Sequence, residues 1–338
     1  MMNALRCSNA DPLRAIRRAL IIAAVALIHG MPSPAMAAEE DYPTKAVRIV
    51  VPFAPGGSTD SAARSIAQRL GEAWGKPVIV ENKPGAGGVV GTEYVSQSAP
   101  DGYTILMGTV AHAAAENLYA NLPYRLGRDF KGVTEVATSP MVLVVSESFP
   151  AKSVSELIEM ARANPGKINY ASAGAGTASH MSSELFKATA KIDLTNVAYK
   201  SSGLALNDVI AGHVPVMFDA LFTSLPHIKG GKLRALGVAS ATRSPIAPEI
   251  PTIAERGLPG FESTVWFGFF VPAQTPPGVI AKLNRDTVAI LKTEAIKEFF
   301  LGQGLQAVGS TQAEFDARVL GEIEKWGKVI RSNGIKVE

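Results

Sequence analysis

The chain has 338 residues, of which 47% are hydrophobic and 19% are charged, a composition typical of a globular protein with room for two domains. The formal net charge is +3, but residues 1–37 hold four of the 33 basic residues and one of the 30 acidic residues, which leaves 29 of each. A neutral remainder without clustered Lys and Arg argues against a nucleic-acid-binding surface.

The first predicted element is an export signal in residues 1–37. Four arginines precede an apolar run from Ala19 to Ile28, and Ala35-Met36-Ala37 has the small residues of a signal-peptidase site. Ten apolar residues in a helix span about 15 Å, which is too short for a hydrocarbon core of about 30 Å. We therefore expect cleavage after Ala37 and a mature protein that works outside the cytoplasm. The paired arginines leave both a Sec and a twin-arginine route open.

Cysteine and histidine placement bears on metal and thiol chemistry. The only cysteine, Cys7, lies inside the leader, so the mature chain has no disulfide, thiol nucleophile or thiolate metal site. The mature histidines, His112, His180, His213 and His227, are scattered, and no H-E-x-x-H sequence occurs. We expect neither a metal nor another cofactor.

From residue 42 onward, apolar runs alternate with helical patterns. Strands are predicted at 47–53, 77–83, 104–109, 141–146, 168–174, 195–200, 214–220 and 233–240. Helices are predicted at 60–75, 87–98, 153–163, 179–190 and 204–212, and in the tail at 275–304 and 311–334. This alternation predicts an α/β fold with mostly parallel sheets, and the number of units favours two domains.

Six polar loops, most of them containing glycine, lie where a predicted strand ends. They are residues 52–60, 82–88, 108–112, 172–180, 199–203 and 218–224. In parallel α/β sheets, such loops form the ligand crevice. A helix N-terminus offers unpaired N–H groups and partial positive charge, and glycine lets an anion approach them. Each loop alone could be a structural turn, but the set predicts an anion site without arginine.

Other motifs argue against a nucleotide site or an enzyme. The segment GAGGVVG, residues 85–91, lacks the third glycine of a dinucleotide fingerprint, and no Walker A sequence occurs. Ser172 lies in Y-A-S-A-G, which lacks the first glycine of a nucleophile elbow. Because no nucleophile, base and orienting acid stand out together, we predict a binding protein rather than an enzyme.

The mature chain resembles the Bug family of periplasmic binding proteins, which serve tripartite tricarboxylate transporters. The resemblance runs from Tyr42 to the C-terminus. It rests on YPTKAVRIVVPFAPGGSTD, VIVENKPGAGGVVG, DGYTILMG, SAGAGTASH, FDALFTSLPHIKGGKLRALGV, SPIAPEIPTIAERGLPGFE and WFGFFVPAQTPP.

The resemblance implies a type II binding-protein fold with two α/β lobes, each a mostly parallel sheet flanked by helices, and a ligand cleft between them. We expect lobe 1 in residues 42–140 and 239–338 and lobe 2 in residues 141–238, with crossings near Met141 and Leu233. It also implies that backbone N–H groups and ordered water hold a ligand carboxylate. The implied ligand-binding residues are Phe53, Ala54, Gly56, Gly57, Ser58, Asp60, Gly108, Thr109, Gly174, Gly176, Thr177, His180, Tyr199, Ser201 and Asp219.

The function implied by the resemblance is a periplasmic receptor for a small carboxylate. A dicarboxylate, a tricarboxylate or an aromatic acid would be captured and delivered to the transporter's membrane subunits by a monomer, with no nucleic acid involved. A carboxylate sensor and an exported α/β enzyme are the alternatives. The loop YKSSGLAL departs from the YKGSAPA-like sequences of relatives, since Ser201 replaces a glycine and Leu204 adds bulk. This departure leaves the identity of the carboxylate open.

Overall fold

The computed structural model describes residues 42–335, apart from the side chain of Ser58. The predicted signal peptide lies outside the described residues. Residues 45–335 belong to one unit. Its strands are β1 Val47–Val51, β2 Val78–Asn82, β3 Thr104–Thr109, β4 Phe130–Ser146, β5 Asn169–Ser172, β6 Thr195–Ala198, β7 Val216–Ala220, β8 Leu233–Val238, β9 Thr264–Pro272 and β10 Gln306–Ala307.

The helices include three that the sequence pattern did not predict, at residues 110–118, 126–129 and 221–229. In chain order, the helices are α1 Ser58–Trp74, α2 Val89–Ser96, α3 Val110–Leu118, α4 Leu126–Asp129, α5 Val154–Ala163, α6 Ala178–Ala190, α7 Ser202–Ile210, α8 Leu221–Lys229, α9 Pro277–Leu291, α10 Glu294–Gly302 and α11 Gln312–Ser332. Within residues 42–335, no helix combines the length and apolar character needed to cross a membrane.

Strand pairing confirms the two-lobed type II arrangement. The order is β2-β1-β3-β9-β4-β7-β5-β6, and β8 and β10 also pair with β4. Pairing is parallel among β1, β2 and β3 and among β5, β6 and β7. The long strands β4 and β9 run antiparallel to their neighbours. Each lobe is thus a parallel sheet joined to a shared antiparallel centre.

The strand β4 belongs to both lobes, because its partners change along its length. Residues 130–140 pair with β9, whereas residues 141–146 pair with β7 and β8. The prediction of a second crossing near Leu233 is wrong. Strand β8, which begins at Leu233, still pairs with the second half of β4, and the chain returns to the first sheet at Thr264. Residues 239–263 pack on the second sheet, where Phe261 joins its core. We therefore propose lobe boundaries at Pro140–Met141 and Ser263–Thr264.

Each sheet has an aromatic core of its own. In the first, the rings of Phe270 and Phe315 lie 4.9 Å apart between their centroids. In the second, Phe186 and Phe218 lie 5.6 Å apart. The first core leaves no room at Gly268, where an added Cβ would lie 2.0 Å from Cζ of Phe315. Because both cores are closed by large rings, the two sheets are rigid supports for the loops at their ends.

Several elements differ from the prediction, since β9 is an additional strand and the predicted loop at 218–224 leads into α8 at Leu221. The predicted helix at 275–304 is two helices, since α9 ends at Leu291 and α10 starts after Thr293. The predicted loop at 108–112 instead leads into helix α3 at Val110. Thr109 explains this start, because its side chain accepts a hydrogen bond from the N–H of Ala111 at 3.3 Å and caps the helix.

Candidate functional site

A cavity of about 430 Å³ draws its lining from both lobes. This volume is within the range of small-molecule sites. Its walls come from the loops that follow β1, β3, β5 and β7 and from the central strands. The lining residues are Phe53, Gly56, Gly57, Thr59, Thr109, Val110, Ala111, Met141, Ala173, Thr177, Ala178, Ser179, Ser202, Asp219, Ala220, Phe222, Thr223, Val265 and Phe267.

The start of α1 forms one side of the cavity. Gly57 is the N-cap residue, and within the described residues no side chain caps this helix. Gly56 has φ +88°, a conformation that favours glycine, and a Cβ on either glycine would meet no atom within 4 Å. The first-turn N–H groups of α1 therefore border open space on the cavity wall.

Asp60 holds this loop in place. Its carboxylate accepts hydrogen bonds from the N–H of Gly56 at 3.0 Å, from Arg64 at 2.9 Å and from the amide of Asn82 at 2.9 Å. Burial raises the pKa of this carboxyl, but the bonds from Arg64, Gly56 and Asn82 outweigh burial and leave the pKa below its usual value. Asp60 is thus an ionised support for the loop, and it does not line the cavity.

The start of α6 contributes a second helix N-terminus. Thr177 is its N-cap residue, and no side-chain cap closes this helix in the described part of the chain. The Thr177 hydroxyl donates instead to the carbonyl of Gly174 at 2.6 Å, and the hydroxyl of Ser179 accepts from the N–H of Ala173 at 2.9 Å. These bonds fold residues 173–179 into a tight loop, and Thr177, Ala178 and Ser179 at the start of α6 line the same cavity as Gly57 and Thr59 at the start of α1.

His180 shapes the same loop without lining the cavity. Its Nδ1 accepts a hydrogen bond from the N–H of Gly176 at 3.2 Å. Burial lowers the pKa of His180, although the nearby Glu184 opposes that shift. The ring therefore serves as a neutral hydrogen-bond acceptor inside the protein.

Two other helices at this edge have N-termini that are capped by nearby side chains. Thr109 and His112 cap α3, where Nδ1 of His112 accepts from the N–H of Thr109 at 2.9 Å. Ser201 caps α7 by accepting from the N–H of Leu204 at 3.4 Å. The helices α1 and α6 differ from these because their N-termini are left for another acceptor.

Asp219 is the one ionisable side chain among the described residues that line the cavity. Its carboxylate accepts from the hydroxyls of Ser202 at 2.7 Å and Ser224 at 2.8 Å, and also from the hydroxyl of Thr223. Burial raises the pKa of Asp219, and these hydroxyls oppose the rise. Asp219 directly precedes Ala220, the N-cap residue of α8, so its carboxylate lies beside the positive end of that helix dipole.

The structure brings together six of the residues predicted to bind ligand. Phe53, Gly56, Gly57, Thr109, Thr177 and Asp219 line the cavity, whereas Ala54, Asp60, Gly108, Gly174, Gly176, His180, Tyr199 and Ser201 do not. Tyr199 turns away, and its hydroxyl donates to Asp208 at 2.6 Å. Gly108 has a packing role, since an added Cβ would lie 2.5 Å from the ring of Phe270. Nothing is described of the Ser58 side chain.

Sequence reasoning missed the strand residues Met141, Val265 and Phe267. They line the cavity at the point where β4 leaves β9 for the second sheet. The one sequence signal for them is the alternation of side chains along a strand, which places Val265 and Phe267 on one face of β9 and Trp266 on the other. The pairing of β9 with β3 and β4, which brings that face to the cavity, is a long-range feature.

A protein-bound metal ion needs several ligating side chains close together. Between residues 42 and 335, no three His, Asp or Glu side chains lie close enough together to hold a metal ion. The hydroxyl of Ser172 donates to Asn196 at 2.8 Å and is fully buried. Ser172 does not line the cavity.

The two lobes with a cavity between them have the architecture of a type II binding protein. The model of the tripartite tricarboxylate transporter family receptor matches residues 62–335, and the chain belongs to this family. It is 36% identical to the protein BugT of Bordetella pertussis over 311 residues, which are 91% of this chain and 95% of that one. The expected membership of the Bug family is confirmed.

Solved structures of relatives share the fold. The R. palustris protein Rpa4515 with adipate has a TM-score of 0.79 and 36% identity and covers 87% of this chain and 99% of its own. The periplasmic binding protein BugD has a TM-score of 0.76 and 33% identity and covers 88% of this chain and 100% of its own. BugD is a periplasmic binding protein, which agrees with the prediction of a receptor.

Proposed function

We propose that the mature chain is a monomeric periplasmic receptor that captures a small carboxylate and delivers it to the membrane subunits of a tripartite tricarboxylate transporter. The observation that supports this most directly is the pair of helix N-termini, α1 at Gly57 and α6 at Thr177, on one cavity. The adipate in Rpa4515 makes carboxylates the first class to test.

The proposed anchor binds a carboxylate with backbone groups from both lobes. Both helices present first-turn N–H groups and the positive ends of their dipoles to the cavity. When the lobes close on the ligand, water is excluded and each charge-assisted hydrogen bond strengthens, contributing about 1.5–3 kcal/mol. Closure thus requires an acceptor that both lobes can share, and a carboxylate has two oxygens for this purpose.

A thermal-unfolding screen of carboxylates on the purified mature protein tests the binding step. A ligand at 100 times its dissociation constant should stabilise the protein by about 2.7 kcal/mol. The matched control is the primary amide of each acid, which lacks the charge and should stabilise far less. If no carboxylate raises the unfolding temperature, or if the amides do so equally, the proposed anchor is wrong.

Uptake of the identified ligand tests the delivery step. Deletion of this chain from its host should abolish transport of labelled ligand, and the wild-type gene should restore it. Uptake that continues unchanged in the deletion strain would contradict delivery while leaving binding intact.

A further inference from the structure

Beyond the two helix N-termini, most of the cavity wall is apolar, and Thr109, Ser202, Asp219 and Thr223 are its polar side chains. Met141, Phe222, Val265 and Phe267 line it, and Phe53 and Val110 add to its first-lobe side. Met141 and Phe267 are each only 2% exposed, so both are fixed by the surrounding core. A ligand held by α1 and α6 would therefore extend its remaining atoms along hydrocarbon and aromatic surface.

The direction of the β9 side chains explains this wall. Successive residues of a strand point to opposite faces. Trp266 packs against Phe315 with 5.7 Å between ring centroids, so it belongs to the first core. Val265 and Phe267 point the other way, towards the cavity. The apolar wall is therefore set by the sheet and is not a flexible surface.

The cavity offers no cation for a second carboxylate. Of the described residues that line it, none is a lysine, arginine or histidine, and the single ionisable one is Asp219. The N-terminus of α8 also lies on the wall, but the Asp219 carboxylate already interacts with the first-turn hydroxyls of Thr223 and Ser224. A second ligand carboxylate would lose its hydration against apolar side chains and close to a like charge, both of which disfavour it.

We infer that this receptor selects monocarboxylates with an apolar alkyl or single-ring body over di- and tricarboxylates. The inference rests on the proposed function, because it assumes that α1 and α6 hold the first carboxylate. It also sets this chain apart from Rpa4515, whose structure contains the dicarboxylate adipate.

Calorimetric titration of the mature protein with matched acid pairs tests this selection. Hexanoate and adipate have the same chain length and differ only at the far end, and 4-methylbenzoate and terephthalate are the corresponding aromatic pair. We expect the monocarboxylate of at least one pair to bind at least tenfold more tightly than its partner. A dicarboxylate that binds equally or more tightly overturns the inference, as does binding confined to malate or citrate, and both results leave the receptor function standing. If no carboxylate of any kind binds, the proposed function itself fails.

A wall variant gives an independent measurement. Val265→Thr places a hydroxyl in the wall at nearly constant volume. We expect it to lower the affinity for the tighter-binding monocarboxylate at least threefold. Val308→Thr is the matched control, because Val308 is exposed and lies outside the cavity. If both variants bind the monocarboxylate like wild type, the apolar wall does not contact the ligand and the inference is wrong.

Discussion

The hydroxyl of Ser202 donates a hydrogen bond to the carboxylate of Asp219 at 2.7 Å, and this contact joins the start of α7 to the end of β7. Thr223 and Ser224 donate to the same carboxylate from the first turn of α8. Two helix starts of the second lobe are thus fixed to one buried acid on the cavity wall. The position of this wall depends on Asp219 before any ligand is present.

Asp219→Ala should destabilise the protein. The substitution leaves the hydroxyls of Ser202 and Ser224 without their acceptor, whereas the Thr223 hydroxyl keeps the carbonyl of Ala220 at 2.8 Å. Each loss of an acceptor in a buried site costs about 1–3 kcal/mol unless water replaces it. We expect a decrease of at least that size in the free energy of unfolding, measured by urea denaturation. The control is Glu324→Ala, which removes an exposed ion pair with Lys328 and should change stability by less than about 0.5 kcal/mol. Equal stability of the two variants would contradict the role given to Asp219.

Gly108→Ala should reduce stability rather than affinity. Its Cβ would lie 2.5 Å from the Phe270 ring, and overpacking of this kind costs about 1–3 kcal/mol. The comparison is Gly321→Ala on the exposed face of α11, where a Cβ meets no atom within 4 Å. Because alanine favours a helix more than glycine does, this substitution should increase the free energy of unfolding by about 0.5–1 kcal/mol. Thermal unfolding checks both. A Gly108→Ala variant as stable as wild type, but with lost binding, would show that Gly108 belongs to the binding site instead.

His112 should make stability depend on pH. Burial lowers the pKa of its ring to about 4 in the folded state, and the hydrogen bond with the Thr109 backbone only partly offsets this. The unfolded pKa is about 6.5, so between about pH 6.5 and 4 the unfolded state binds more protons. Stability should therefore fall as the pH falls through this window, by up to about 1.4 kcal/mol per pH unit from this group.

The variant His112→Gln should remove that part of the slope. Urea denaturation from pH 4.5 to 7.5 measures it, with His213→Gln as the control because the side chain of His213 is 71% exposed. A slope that is unchanged in His112→Gln, or changed equally in both variants, would show that the buried ring does not govern the acid response.

Export should remove the leader. We predict a mature N-terminus at or within two residues of Ala38, because Ala35 and Ala37 have the small side chains that signal peptidase accepts. Intact-mass spectrometry of periplasmic protein measures the mature length. A periplasmic protein that still begins at Met1 would refute cleavage at this site.

The sequence predicted the outer strands and the loops of the site better than it predicted the centre of the fold. Strand β3 is fully buried and reads as an apolar run, so Thr104–Thr109 was predicted correctly. The first half of β4 was missed because Thr134, Glu135 and Ser139 interrupt its apolar pattern. Glu135 is tolerated there because Arg318 of α11 donates to its carboxylate at 3.1 Å, a partner 183 residues away along the chain.

The same limit applies to the candidate site. Gly57 and Thr177 could be predicted because each lies between a strand and a helix, a local pattern. Val265 and Phe267 could not, because their place on the cavity depends on the register of β9, in which Phe267 lies opposite Thr109 of β3. Local patterns thus predict which loops supply N–H groups, whereas long-range pairing decides what else the ligand touches.

The central claim is that a carboxylate binds between the starts of α1 and α6, and Gly57→Val tests it most sharply. Gly57 has φ −80° and ψ 170°, which valine adopts without strain, and its Cβ would enter open space on the cavity wall. Gly176 is unsuitable for the same test, because its φ of +74° and the Leu118 side chain at 2.7 Å would strain any substitution. Exposed Gly302, whose Cβ would also meet no atom within 4 Å, provides the matched control Gly302→Val.

Calorimetric titration of the mature protein with its best carboxylate is the decisive measurement. Wild type and Gly302→Val should bind one equivalent with the same affinity. Gly57→Val should keep the wild-type circular dichroism spectrum and bind at least tenfold more weakly, because the added side chain blocks approach to the N–H groups of α1. A folded Gly57→Val protein that binds the carboxylate as tightly as wild type would contradict the account.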